Sequence, residues 1–356
     1  MDFKKVAVAE ADFQKTGKAA GVQYELTPFS IPIPGDDNHK LDGISCRPSN
    51  GFAGYYYDEK FTKEKVVLHF TVGHLKGDIY SLSNKSRGHV STAFVLGRDG
   101  TVYQLFSSAA WSYHLGRNAK GGNTVQSKIS LGIEISNYGP LIKKGNNLET
   151  VYSKDGRKDV YCTTDDTDQY IKLPKKYRGY QYYTKFTNEQ YHSLILLLRY
   201  LTATYKIPRA FVAESGRHET SSASSADFKG ICSHVNFRTD KIDIGPAFDW
   251  DRVIAGVTTE NYGGNPLEDN VTKAEKALAE AKVTVVEANE VLAAAEAKLV
   301  MAQDALDAAD VTSRSASVLS TESKVADSVS TNNDTGKEYG EDGPEPFDID
   351  MTPFYV

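Results

Sequence analysis

Val66-Val67-Leu68-His69-Phe70-Thr71 is a short run rich in β-branched and aromatic residues with a single imidazole inside it, and it reads as a buried strand. Side chains alternate between the two faces of a strand, so Leu68 and Phe70 take one face and His69 takes the other with Val67 and Thr71. His69 is thereby free to face a cleft while its neighbours pack a core. A second histidine opens the run His234-Val235-Asn236-Phe237-Arg238-Thr239-Asp240-Lys241-Ile242-Asp243. Lys241 and Asp243 are two apart, so in an extended chain they point the same way. Two imidazoles and a carboxylate form the ligand set of a catalytic zinc with one open coordination position, and a hydrolase is the first expectation. His218, Asp240 and Cys232 stand in reserve as ligands.

Leu131-Gly132-Ile133-Glu134-Ile135-Ser136-Asn137 alternates in the same way, with Leu131, Ile133 and Ile135 inward and Gly132, Glu134 and Ser136 opposite. A carboxylate in the middle of an apolar strand is costly to bury without a partner, and Glu134 beside the metal site would have one as a general base. Glycine at 132 would leave room for a substrate. Further strands are expected at 92–97 and 101–106, joined by the Asp99-Gly100 turn. A helix is expected over 188–206, capped by Thr187 and Gln190 and stopped by Pro208. Pro246 is expected to start a last core helix through Val253. Together these elements make an α/β domain with a central mixed sheet flanked by helices.

The chain resembles the zinc-dependent N-acetylmuramoyl-L-alanine amidases of type 2, a family related to peptidoglycan recognition proteins and phage amidase lysins. The resemblance runs in family order through His69-Phe70-Thr71-Val72-Gly73, the Val90 to Gln104 block, Trp111-Ser112-Tyr113-His114-Leu115-Gly116, Leu131-Gly132-Ile133-Glu134 and the His234 to Trp250 run, roughly residues 61–256. It implies His69, His234 and Asp243 as Zn2+ ligands, Glu134 as general base and Lys241 as the cation facing the oxyanion. His114, Trp111 and Asn137 are expected to touch substrate. The implied reaction is hydrolysis of the amide between N-acetylmuramic acid and L-alanine of the stem peptide. This chain departs from many relatives in carrying Thr92-Ala93 where they have a tyrosine or histidine, and its third ligand is aspartate where some have cysteine. A peptidoglycan-binding module without catalysis, or a particle protein with an amidase-like core, is the alternative, against which intact Glu134, Lys241 and Asp243 argue.

Charge is uneven along the chain, which a net of −6 conceals. Residues 61–256 hold 27 Lys and Arg against 18 Asp and Glu, whereas residues 257–356 hold 7 against 20. A basic domain suits an anionic cell-wall polymer. No basic helix or aromatic-basic alternation points to nucleic acid, and no apolar run reaches membrane-spanning length. The amino terminus lacks a long apolar core, so synthesis in the bacterial cytoplasm without a signal peptide is expected, with action on the wall as a phage lysin or particle component. Three scattered cysteines make no disulfide framework.

The expected organisation is an irregular arm or cap over 1–60, the zinc amidase domain over 61–256 with a polar, tyrosine-rich insertion at 138–186 bordering the cleft, a linker at 257–271, a coiled-coil-like helix at 272–310 and a disordered acidic tail at 311–356. Leu278, Val285, Leu292, Leu299 and Leu306 recur every seven residues, with alanine three positions after each, a pattern for self-association or docking on a particle protein. The tail has too little apolar area to order itself.

Overall fold

The computed structural model describes residues 2–83, 88–154, 156–221, 226–260 and 262, with scattered helical residues between Ala288 and Gln303. Contacts divide the chain after Glu260, and the following account concerns the unit before that point.

Its frame is an eight-stranded mixed sheet. The strands are β1 (Lys18–Ala19), β2 (Val22–Ile33), β3 (Asp36–Pro48), β4 (Lys65–Phe70), β5 (Phe94–Leu96), β6 (Val102–Gln104), β7 (Ser130–Ile135) and β13 (Gly230–Ser233), in the order β1-β2-β3-β6-β5-β7-β4-β13. The β5-β7-β4-β13 portion is parallel throughout. β4 and β7 are buried on both faces, as parallel strands covered on each side are. The expected mixed sheet flanked by helices is therefore the observed architecture. Its 92–97 and 101–106 strands are shortened to β5 and β6.

Helix α4 (Asn188–Tyr205) has the expected capping box: Thr187 Oγ1 accepts from Gln190 N, and Gln190 Oε1 accepts from Thr187 N. The helix packs on β2, β3 and β5, and its Leu194, Leu197, Leu198 and Leu201 are buried. Helix α5 (Trp250–Thr258) packs beside it but starts later than expected. Asp249, whose carboxylate accepts from Arg252 N, caps it in place of the proline at 246. On the other side α2 (Leu75–Leu82) packs on β1 and β5, and α3 (Asn123–Ile129) leads directly into β7.

Of the section expected to be irregular, residues 3–48 are mostly regular and belong to the fold, whereas residues 49–60 hold no helix or strand. Asp2 caps α1 (Phe3–Thr16), Gly17 closes it in the left-handed region, and β2 and β3 form a long hairpin that joins the sheet through parallel pairing of β3 with β6. Pro28 and Pro32 within β2 argue against a central strand. β1 covers only Val22 and Gln23, however, so most of β2 is an edge where a missing N–H costs little. Phe13 of α1 packs on Tyr24 and Tyr103.

The 138–186 insertion is a five-stranded antiparallel sheet. Its strands are β8 (Pro140–Lys144), β9 (Asn147–Thr150), β10 (Val160–Thr163), β11 (Tyr170–Tyr177) and β12 (Tyr180–Thr184), in the order β10-β9-β8-β12-β11. Its tyrosines are core as much as surface: Tyr138 and Tyr161 are buried with Leu141, Leu148 and Val6 of α1. Amphipathic rings supply the apolar area that a polar composition conceals.

The 311–356 tail lies outside the described residues, as do most of the 257–271 linker and of the 272–310 helix. Within the latter, Leu292, Ala295, Leu299 and Ala302 are helical and exposed.

Candidate active site

The two central strands set the site. β4 and β7 run parallel with His69 opposite Glu134 and Val67 opposite Gly132, so the imidazole and the carboxylate emerge on one face. β13 lies on the other side of β4, pairing Ser233 with Leu68, and the chain leaves it in a single turn beginning at His234. That turn is closed by Ser233 and Asn236, and Asn236 Nδ2 is held by the carbonyls of Gly216, Arg217 and Glu219. Val235 N donates to Asp243 O, which draws the Asp243 loop back over the turn.

Three lone-pair atoms converge there. His69 Nδ1 and His234 Nδ1 are 3.0 Å apart, His234 Nδ1 is 2.9 Å from Asp243 Oδ2, and His69 Nδ1 is 3.3 Å from the same oxygen. Ligands of a tetrahedral zinc at 2.0–2.2 Å stand about 3.3 Å from one another, so this triangle fits one metal ion. All three residues are buried, and among the described residues they are the one group that could hold a metal. Burial and the neighbouring His234 hold the His69 imidazole down to about 4, so it is neutral and presents a lone pair. Burial works against ionisation of Asp243, but the two imidazoles reverse this and hold its carboxyl well below the usual range. A neutral imidazole and an ionised carboxylate are the forms that bind zinc.

Glu134 is buried, and its Oε2 has no hydrogen-bond partner among the described residues. Burial, then the charges of Asp243 and Asp78, push its carboxyl well above the ordinary value, with Lys241 opposing. A buried, unpartnered carboxylate oxygen beside a donor triangle has a place for water or substrate to satisfy it. Lys241 lines the same cleft.

Two cavities, of about 530 and about 580 Å³, share Val90, His114, His234 and Lys241, so the His234 corner of the triangle lies where they meet. Tyr152, Arg178 and Tyr180 of the insertion wall the first, with Asp243 and Glu134 in its lining. Arg117, Asn123 and Arg238 line the second.

The other expected contacts are distributed differently. His114 lines both cavities, but its nitrogens are engaged elsewhere: Nδ1 lies 3.0 Å from His69 Nε2, and Nε2 lies 2.9 Å from Ser130 Oγ. Trp111 is not brought to the cleft; it is buried against Tyr57, with ring centroids 4.4 Å apart, and beneath Lys128. Asn137 is likewise internal, where its Oδ1 accepts from Gly139 N and its Nδ2 reaches the carbonyls of Thr184 and Lys185, tying the insertion to the end of β7. Gly132 makes room for protein rather than substrate, since a Cβ there would meet Thr92 Cγ2 at 2.7 Å and the His114 ring at 3.1 Å. Of the reserve ligands, Asp240 is bound by Arg238, Cys232 packs with its thiol on Val66 O, and His218 stands outside the triangle. Sequence reasoning missed Ser130, Arg178, which lines the first cavity, and Leu115, whose carbonyl oxygen lies 3.0 Å from His234 Nε2.

The family model described as N-acetylmuramoyl-L-alanine amidase matches residues 61–246, more than half of the chain. Among solved structures, similarity extends to the amidase AmiD from E. coli in complex with anhydro-N-acetylmuramic acid-L-Ala-D-gamma-Glu-L-Lys. Identity there is 17% over 64% of this chain and 65% of that chain, a little under two thirds of its length, with a TM-score of 0.36. It also extends to the endolysin LysCS from Clostridium intestinale URNW, at 17% identity over 57% of this chain and 91% of that one, with a TM-score of 0.31. No curated protein matches the sequence.

Proposed function

This chain belongs to the N-acetylmuramoyl-L-alanine amidase family, and we propose that it hydrolyses the amide joining the lactyl group of N-acetylmuramic acid to L-alanine of the peptidoglycan stem peptide, with zinc held by His69, His234 and Asp243. The observation that carries this reading is the convergence of three donor atoms within 3.3 Å beside a buried carboxylate with an unpartnered oxygen.

Zinc, when bound, supplies a Lewis acid for the scissile carbonyl and for water. Glu134 takes the proton of the attacking water and delivers it to the leaving amine. The burial that raises its carboxyl supports this role, because a desolvated carboxylate is a stronger base and keeps its proton until the amine leaves. Lys241 presents an ammonium to the oxyanion that develops on the carbonyl oxygen, in a cleft where a fixed charge is little screened. Tyr152, Arg178 and Tyr180 give the insertion a part in substrate choice, because they line the same cavity as Glu134.

The Leu/Ala heptads over 272–310 support attachment of this enzyme to a second copy or to a particle, as in a lysis or injection system. Among the described residues no helix is long and apolar enough to cross a membrane.

Incubation of purified cell wall with the zinc-supplemented protein should generate new free L-alanine amino termini. Elemental analysis should find one zinc per chain, lost in His234→Ala. Zinc-loaded protein that binds the wall and releases no amino termini would reduce the chain to a binding module.

A further inference from the structure

His69 and His234 both turn Nδ1 toward Asp243, so both must carry their proton on Nε2 if they are to offer lone pairs to one ion. What fixes that choice lies in two consecutive residues. His234 Nε2 is 3.0 Å from the carbonyl oxygen of Leu115, and His69 Nε2 is 3.0 Å from Nδ1 of His114.

The direction of each bond follows from its far end. The Gln126 carbonyl can only accept, so the hydroxyl of Ser130, 2.6 Å away, donates to it. Ser130 Oγ then accepts from His114 Nε2 at 2.9 Å. A neutral imidazole with its proton on Nε2 has a bare Nδ1, which accepts from His69 Nε2. His69 is left with a bare Nδ1. On the other ring the Leu115 carbonyl can only accept, which places the His234 proton on Nε2 directly.

We propose that His114 and Leu115 together position both metal-binding histidines, the first through the relay His69–His114–Ser130–Gln126 and the second through its backbone oxygen. This rests on the zinc reading given above. His114 is a positioning residue, and its own seat is prepared by β7. Its ring lies over Gly132, where a Cβ would stand 3.1 Å from its Cγ and Nδ1 and 2.7 Å from Thr92 Cγ2. The hydroxyl it reaches is set by the junction of α3 with β7, because Ser130 bonds back four residues to Gln126. Partners of this kind fix the tautomer and orientation of a ligating histidine, and their loss typically weakens metal binding by about 10-fold to 100-fold.

The test compares full-length wild type with His114→Phe, which keeps a ring without nitrogens, and His114→Asn, whose amide oxygen can replace Nδ1 as acceptor. Zinc dissociation constants come from chelator competition, and the thermal melting of each metal-free protein reports its fold. His114→Phe should bind zinc about 10-fold to 100-fold more weakly, and His114→Asn should recover most of that loss. Nitrogen-15 NMR of histidine-labelled, zinc-loaded wild type should show protons on Nε2 of His69, His114 and His234. Equal zinc affinity in wild type and His114→Phe, or a proton on Nδ1 of His69 or His234, would overturn the proposal. Should His114→Phe fail to fold, Ser130→Ala and the NMR assignment decide the matter. A folded wild type that binds no zinc would overturn the metal reading, whereas zinc bound with these tautomers absent would overturn only the relay.

Discussion

Glu134 stands directly opposite His69 in the parallel ladder of β4 and β7. The pairing fixes a metal-ligating candidate and a candidate base on neighbouring strands and on one face, so their separation is set by backbone hydrogen bonds rather than by loops. Glu134→Gln retains size and burial but cannot take a proton. It is expected to keep its zinc and its fold while hydrolysis falls about 10²-fold to 10⁴-fold. Lys241→Ala should lower kcat more than it raises KM, because an oxyanion contact exists only in the transition state. Steady-state kinetics on soluble wall fragments would check both; near-normal turnover in Glu134→Gln would make that residue structural.

The same ladder explains why this part of the site was legible in the sequence. Alternation in Val66 to Thr71 and in Leu131 to Asn137 assigns faces to His69 and Glu134 before any fold is known. His234 and Asp243 follow from a motif run. His114 was legible only as a polar group near the site, because its engagement with His69 depends on the space over Gly132 and on Ser130, a tertiary arrangement. Trp111 was misplaced for a related reason. Tyr57, which stacks on it, belongs to the section whose order the prolines of β2 concealed.

Besides Glu134, two buried carboxyls outside the donor triangle make stability depend on pH. Glu10 on α1, desolvated and close to Asp99, is pushed up to about 7, and burial does the same to Asp78 against hydrogen bonds from Ser136 and Thr71. A carboxyl raised in the folded state favours folding most below its unfolded value near 4.5 and loses that contribution as pH climbs through about 7. Wild type should therefore lose stability between about pH 4.5 and 7. Glu10→Gln, whose amide oxygen can still accept from Arg98 N, should flatten part of that slope and be more stable than wild type at pH 8, by up to about 3 kcal/mol. Asp78 and Glu134, both raised by burial, supply the slope that remains. Denaturant melts across this range would measure it, and parallel curves for the two proteins would rule out the Glu10 contribution.

The heptads of 272–310 make a separate prediction. An alanine seam buries little area per residue, so such a helix gains most of its stability from a partner that covers the leucines. Leu292 and Leu299, one heptad apart, are 56% and 72% exposed. Deleting residues 265–356 should leave amidase activity on soluble fragments unchanged and convert an oligomeric or particle-bound protein to a monomer. Light scattering and co-purification with and without this section would test it. An inactive truncated protein would instead make the section part of the catalytic fold.

The last prediction concerns β2 and β3, which precede the segment matched by the family but form part of its sheet. Asp36, at the start of β3, accepts from both Nε and Nη2 of Arg199 on α4, at 3.1 and 2.8 Å, with side chains only 5% and 2% exposed. The same guanidinium donates through Nη1 to the carbonyl oxygens of Gly256 and Thr259, so one cation joins the hairpin, α4 and the end of α5. Removing the carboxylate takes the Asp36 side of this buried ion pair away from the guanidinium, and breaking such a pair typically costs about 3–5 kcal/mol. Asp36→Ala should therefore lower the urea midpoint steeply with little change in slope. Adding Arg199→Met, which withdraws the charge as well, should recover much of the loss, because replacing both partners of a buried pair by apolar groups is often close to neutral. A double variant no more stable than Asp36→Ala would trace the damage to lost packing at the hairpin. An Asp36→Ala protein as stable as wild type would mean that β2 and β3 rest on the domain without supporting it.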